Sequence, residues 1–218
     1  PLCEDGALQG LFDLADVAYV GSDVLSSAVC MDKDIARRCV DVEGVLPIRY
    51  HVLPYTTSAV EDQMRYEAAI DELGLPLFVK PAALGSSVGI HRVENLDALA
   101  AAVGDARRYG TTVLIEEFIA GREIELAVLE HEGLEGLPDV SVPGEIMFEH
   151  VDGFYSYAAK YVECDQTKLC IPAKIDDACT RKLQEAAAAI FTQLRCGGLA
   201  RVDFFVQNNT GAIYFNEV

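Results

Sequence analysis

Lys80 closes the apolar run Leu77-Phe-Val-Lys80 and is followed by Pro81 and the loop Gly85-Ser-Ser-Val-Gly89. An ammonium at the end of a β-branched and aromatic run sits where a sheet edge can present it to a bound anion. Gly85 and Gly89 permit backbone conformations and close approach that other residues resist, so the N–H groups of Ser86, Ser87 and Val88 can turn inward around phosphate oxygens. That points to a nucleotide. The spacing matches neither a Walker P-loop nor a Rossmann fingerprint, and a surface lysine beside a serine-rich hairpin loop fits the same segment.

A second group is acidic. Arg201 and Asp203 lie two apart in a β-forming run, and Glu217 ends the next run, across the turn Asn208-Asn-Thr-Gly211. Residues two apart share a strand face, so a guanidinium and two carboxylates converge if the runs pair as a hairpin. Carboxylate oxygens near phosphates suit Mg2+, which binds through one or two carboxylates plus substrate phosphates. An ordinary cross-strand ion pair would use the same residues.

Periodicity supplies the elements that hold these groups. Leu8, Leu11, Phe12 and Ala15 form the stripe of a short helix, and 17–20 reads as a buried strand. Gly21-Ser-Asp23 leads into a helix through Leu25, Ala28 and Val29, and Asp32 opens another through Ile35, Cys39 and Val42. Residues 48–53 alternate as an exposed or edge strand ending at Pro54. Ser58 and Glu61 make a capping box for a helix that runs to Leu73 and stops at Gly74. Asn95 caps a helix with the stripe Leu96, Leu99, Ala100 and Val103. From Thr112 the chain is strand-rich, with a strand at 113–119 and then a run alternating Glu123 and Glu125 with Ile124 and Leu126. Glu117 and Glu125 are expected on a solvated face. Strands at 144–148, 157–162 and 169–172 follow. Asp176 and Asp177 open the longest helix, whose stripe is Cys179, Leu183, Ala186, Ala187, Ile190 and Leu194.

With 218 residues, 51% of them hydrophobic, the chain can bury a real core in one or two domains. No apolar run approaches the roughly twenty residues that span a bilayer, and no signal-like start is present. The seven cysteines include no C-x-x-C pair, which suits a reducing cytoplasm better than a disulfide framework or zinc site. A net charge of −18 repels nucleic acid and anionic membranes. Polyanionic ligands therefore need a local positive pocket, for which Lys33, Lys80, Lys160 and Arg201 are candidates.

Nine short patterns stand in order along the chain: Glu4-Asp-Gly-Ala-Leu-Gln-Gly-Leu11, Tyr19-Val-Gly-Ser-Asp-Val-Leu-Ser-Ser-Ala28, Met31-Asp-Lys33, Val79-Lys-Pro81, Gly85-Ser-Ser-Val-Gly89, Gly121-Arg-Glu123, Ala159-Lys-Tyr161, Ala200-Arg-Val-Asp203 and Asn216-Glu-Val218. Together they resemble the D-alanine–D-alanine ligases of the ATP-grasp superfamily. The resemblance implies an α+β ATP-grasp fold, with two α+β lobes gripping ATP, preceded by the tail of an α/β pre-ATP-grasp domain. Residues 1–21 would be that tail, 22–115 the central lobe and 116–218 a truncated carboxy-terminal lobe. It also implies an amino-terminal domain ahead of Pro1 and a further metal-ligating asparagine beyond Val218.

By the same resemblance, Lys33, Lys80 and Lys160 would hold the ATP phosphates while the glycine loop, with Ser87, closes over them. Glu116, the backbone of Glu117, Phe118 and Ile119, and Glu123 would frame adenine and ribose. Asp203 and Glu217 would bind two Mg2+ (or Mn2+) ions. Arg201 would stabilise the oxyanion, and Ser86 and Tyr161 would hydrogen-bond across the substrate site. The implied protein is a cytoplasmic homodimer that joins two D-alanines through an acyl phosphate for peptidoglycan synthesis, with no nucleic-acid or membrane partner. D-alanine–D-lactate and D-alanine–D-serine ligases share this machinery, and an inactive nucleotide-binding fragment is the alternative from another class.

The loop residues Gly85, Ser86, Ser87 and Gly89 lack apolar anchors, so their amides should exchange freely without nucleotide and gain protection with it. Equal, strong protection with and without ATP, followed by hydrogen-exchange mass spectrometry, would count against a grasping loop.

Overall fold

Side-chain caps set where most helices begin. The computed structural model describes residues 2–55, 58–131, 136–148 and 167–218. In it, α1 (Ala7–Leu14) follows Gly6 and buries none of its residues. Asp23 accepts the Ser26 N–H at 2.8 Å and starts α2 (Val24–Met31). Asp32 accepts the N–H groups of Asp34 and Ile35 and starts α3 (Lys33–Cys39). Ser58 and Glu61 form the expected capping box on α4 (Ala59–Leu73), and Gly74 ends that helix at φ 77°. Asn95 caps α5 (Leu96–Ala106), and Asp176 caps α6 (Asp177–Gln193). No described helix is long and apolar enough to cross a membrane.

In chain order the strands are β1 (Val45–Pro47), β2 (Tyr50–Pro54), β3 (Leu77–Pro81), β4 (His91–Val93), β5 (Thr112–Glu117), β6 (Gly121–Leu129), β7 (Asp139–Val140), β8 (Gly144–Phe148), β9 (Thr167–Cys170), β10 (Leu199–Gln207) and β11 (Ile213–Glu217). They belong to two compact units. One holds the segment ending at Pro47, Ala120–Phe148 and Thr167–Val218; the other holds Ile48–Ile119. The first unit is discontinuous in sequence, whereas the lobes expected from the sequence are contiguous.

In the first unit the sheet order is β1-β11-β10-β6-β8-β9, with β7 also on β6. Leu183, Ala186, Ala187, Ile190 and Phe191 of α6 follow helical spacing and pack on Ile124, Leu126 and Val128 of β6 and on Val202, Phe204 and Val206 of β10. Strand alternation then sends Glu123, Glu125, Arg201 and Asp203 to the face away from α6. In the second unit the order is β2-β5-β3-β4, so β2 is the edge strand that Pro54 foretold. Tyr66 and Ala69 of α4 and Leu99, Ala102, Val103 and Ala106 of α5 cover Leu77, Val79, Val113 and Ile115. Lys80 and Glu116 therefore belong to the opposite face.

Two details depart from periodicity. Residues 17–20 form no strand, and Val17 and Val20 are exposed. Four apolar residues without a neighbouring strand have no ladder to join, and the Val17 N–H donates instead to the Phe12 carbonyl at 3.0 Å. In α5, Ala100 is exposed while Ala102 and Ala106 are buried, because the small alanines at 98–102 give no contrast from which to read the face. The expected strand at 157–162, with Lys160 and Tyr161, lies outside the described residues.

Leu183 and Leu77 are fully buried, one in each unit's core. Leu183→Ala and Leu77→Ala should each cost about 2–5 kcal/mol, against about 1 kcal/mol for the exposed cap change Ser58→Ala. Urea unfolding midpoints check the order; a Leu183→Ala cost no larger than the Ser58→Ala cost would mean that α6 is not the clamp on its sheet.

Candidate active site

A one-residue shift in the β10–β11 pairing builds the acidic centre. Val206 faces Ile213, Phe205 faces Tyr214 and Phe204 faces Phe215, but a bulge between Asp203 and Phe204 sets Asp203 opposite Glu217. Continued without the bulge, the ladder would put Asn216 there. Bulges re-aim side chains in this way. On its other side Asp203 faces Glu125 of β6, so three carboxylates occupy neighbouring register positions on adjacent strands.

Cations hold this row together. Arg201 donates from Nε and Nη2 to the two oxygens of Asp203 at 2.7 and 2.6 Å, and its Nε lies 3.3 Å from Glu125 Oε2. Lys33 Nζ lies 2.8 Å from Glu217 Oε2. One turn further along α3, Arg37 donates to the Asn216 carbonyl at 3.1 Å and to its Oδ1 at 3.2 Å. Residues four apart share a helix face, so one face of α3 is fastened to the end of β11. Glu125, expected on a solvated face, is instead part of this network. Its alternation was readable, but a carboxylate whose partner lies 76 residues along the chain is indistinguishable from a solvated one.

Asp203 is 2% exposed. Burial pushes its carboxyl up to about 6 against the pull of Arg201, and the Glu217 and Glu125 charges push the same way. A divalent cation would reverse that cost, and two carboxylates supply the hard oxygens that Mg2+ takes. Among the described residues no group of three or more His, Cys, Asp or Glu side chains is arranged to hold a metal by itself. Mg2+ does not need one, since phosphates and waters complete its shell. The donor set thus fits Mg2+ bound together with a phosphate ligand.

In the second unit, Lys80 Nζ lies 2.6 Å from Glu116 Oε2, both side chains being almost fully buried. Glu117 is not solvated either. Arg49 donates to it from Nε at 2.8 Å, from Nη2 at 2.6 Å and from its backbone N–H at 2.8 Å, while the Glu117 N–H returns a bond to the Arg49 carbonyl at 3.0 Å. This fixes the end of β5 where the backbone of 117–119 was expected to meet adenine. Phe118 follows, with its ring 5.9 Å from that of Phe78 and the Arg92 guanidinium 5.3 Å from its centroid, and Ile119 is buried. Arg49 carried no motif signal, because an alternating edge strand places arginine outward by default.

The glycine loop differs from expectation in which residues turn. Ser86, Ser87 and Gly89 adopt left-handed backbone (φ 58°, 56° and 70°), whereas Gly85 does not. Two successive left-handed serines are the central pair of a type I′ turn. The Val88 N–H donates to the Gly85 carbonyl at 3.3 Å and serves the turn. A Cβ on Gly89 would lie 2.8 Å from Tyr109 Cδ2 and 3.1 Å from Pro81 Cγ, while one on Gly85 would meet nothing. Gly89→Ala should therefore destabilise the protein by about 1–3 kcal/mol and Gly85→Ala should be near neutral. Thermal melts of the two variants test this, and equal melting temperatures would refute the loop conformation.

Residues 42–218 match the family model described as D-Ala D-Ala ligase C-terminus. A D-alanine–D-alanine ligase of Legionella pneumophila is 56% identical over all of this chain, which spans 60% of that relative's length. Among solved structures, a D-Ala:D-Ser ligase from Enterococcus faecalis is 37% identical with a TM-score of 0.83, over 99% of this chain and 59% of its own. A D-alanine–D-alanine ligase from Coxiella burnetii is 33% identical with a TM-score of 0.77, over 99% and 54%. The α+β fold is therefore the ATP-grasp fold, and the chain belongs to the D-alanine–D-alanine ligase family.

Proposed function

We propose that this chain carries the ATP- and metal-binding residues of an ATP-dependent ligase that joins two D-alanines for peptidoglycan synthesis. The observation that carries the proposal is the carboxylate row of Glu125, Asp203 and Glu217, bound by Arg201 and Lys33, in a chain of this family. In this proposal residues 1–21 are the tail of a preceding domain, 22–115 the central lobe and 116–218 the carboxy-terminal lobe. The protein works as a cytoplasmic homodimer.

Lys33 and Lys80 are assigned to ATP phosphates as point charges, with Lys160 a further phosphate contact, and the glycine loop with Ser87 to closing over the nucleotide. Glu116, the fixed backbone at 117–119 and Glu123 hold the nucleoside. Asp203 and Glu217 hold two Mg2+ or Mn2+ ions, which neutralise charge on the transferring phosphoryl group. The carboxylate of the first D-alanine attacks the γ-phosphorus, ADP leaves and an acyl phosphate forms. The amine of the second D-alanine attacks the acyl carbon, and the growing oxyanion meets the Nη1 side of Arg201, whose Nε and Nη2 are already oriented by Asp203. Phosphate leaves with the dipeptide formed. Ser86 and Tyr161 close the substrate site around the incoming amine.

D-serine as second substrate is the competing reading, motivated by the 37% identity to the D-Ala:D-Ser ligase. Product analysis with D-alanine alone and with added D-serine separates the two. ATP binding with no D-alanine-dependent phosphate release would leave only a nucleotide-binding fragment.

Loss of charge-assisted contacts of roughly 1.5–3 kcal/mol each should make Lys80→Met weaken ATP binding about ten- to a hundredfold. Because Lys80 also pairs with buried Glu116, the double variant Lys80→Met/Glu116→Gln should keep the affinity loss while regaining stability. Calorimetry showing unchanged ATP affinity in both variants would sink the assignment.

A further inference from the structure

We propose that Cys30 and Cys196 are a redox modification site, closing to a reversible disulfide when the protein meets hydrogen peroxide. Cys30 lies in the last turn of α2, and Cys196 lies in the turn between α6 and β10. They are 166 residues apart in sequence, yet their sulfurs are 3.6 Å apart, and both are free thiols. A disulfide needs about 2.05 Å, so roughly 1.5 Å of approach closes the bond. Both residues lie in the same compact unit.

The surroundings push the two thiols in opposite directions, Cys196 down and Cys30 up. The contact with Cys30 is the largest influence holding the Cys196 thiol down at about 7; the Ser26 and Ser22 hydroxyls add to it, while burial and the Asp23 charge oppose. The same contact pushes the Cys30 thiol up. Ser26 Oγ donates to Cys196 Sγ at 3.6 Å and lies 3.9 Å from Cys30 Sγ, so it touches both sulfurs. A thiolate with a second thiol poised beside it is the arrangement found in redox-sensing cysteines.

The chemistry balances with peroxide as the only co-reactant. The Cys196 thiolate attacks one peroxide oxygen, the O–O bond breaks, and the departing hydroxide takes a proton to become water. Cys196 is then a sulfenic acid. The Cys30 sulfur attacks it, the S–S bond forms as the S–O bond breaks, and the Cys30 proton leaves with the hydroxyl as a second water. Two thiols are oxidised by two electrons and one peroxide is reduced. The bridge ties the end of α2, which runs through Asp32 into Lys33, to the root of the strand that bears Arg201 and Asp203.

The test treats the whole chain with hydrogen peroxide, alkylates the remaining thiols, and maps the digest by mass spectrometry. The expected result is a linked peptide pair holding Cys30 and Cys196, two hydrogens lighter than the separate thiol peptides and lost on treatment with dithiothreitol. In Cys30→Ser, Cys196 should stop at a sulfenic acid that dimedone traps. Recovery of both residues as alkylated thiols under conditions that oxidise the exposed Cys3 and Cys39 would overturn the proposal. So would linkage of either residue mainly to another cysteine. The map of the unmodified chain decides the matter even if Cys30→Ser does not fold.

Discussion

Like charge in a confined place is the constraint on which the first unit depends. Glu125, Asp203 and Glu217 face one another across three adjacent strands, directly above the apolar layer that α6 packs against. Two unit charges about 5 Å apart repel by about 3 kcal/mol at an effective dielectric of 20, and burying Asp203 adds to the cost. Arg201 answers with a bidentate grip on Asp203 and a reach to Glu125, and Lys33 answers Glu217. The placement of α3 follows from that need. Its Asp32 cap fixes where the helix starts, which puts Lys33 at its first position and Arg37 one turn later on the same face, both addressing the end of β11.

Rigidity below makes the charge row possible above. Ile124, Leu126, Val128, Val202 and Phe204 are fully buried or nearly so, and each lies between residues of the polar face. Slipping β10 by one residue against β6 would exchange the two faces completely, so the apolar core and the carboxylate row enforce the same register. The bulge at Asp203 is the single local exception. It carries Glu217 into line where an unbroken ladder would offer the neutral Asn216, and Arg37 holds the displaced asparagine.

Much of this was legible. The capping box at Ser58, the Asn95 and Asp176 caps, the edge strand ending in Pro54 and the α6 stripe all follow from local chemistry that acts within a turn or two. The convergence of Arg201, Asp203 and Glu217 was legible as a hairpin. What was not legible depends on distance in sequence. Glu117 and Glu125 read as solvated because their arginines lie 68 and 76 residues away. The 17–20 run read as a strand because its apolar character is local, while the absence of a partner is not. A bulge has no obligatory residue signature, so the step that selects Glu217 over Asn216 is visible only in the ladder.

Both lysines expected at phosphates are already paired with carboxylates, Lys33 with Glu217 and Lys80 with Glu116. In a chain of net charge −18 this is how two cations stay buried. It also sets the terms on which a polyanion can enter. Phosphate alone would compete for each lysine and cost its carboxylate that partner, by several kcal/mol at buried Glu116 and by less at Glu217, whose side chain is 28% exposed. In the proposed function a divalent cation arriving with the phosphate would spare Glu217 that cost, since it would stand beside the carboxylate in place of Lys33. Glu116 has no such exchange, since its proposed partners are on the nucleoside. The two pairs therefore differ in kind: Lys33–Glu217 has a carboxylate partly open to solvent and suits exchange with a metal–phosphate pair, whereas in Lys80–Glu116 both side chains are almost fully buried.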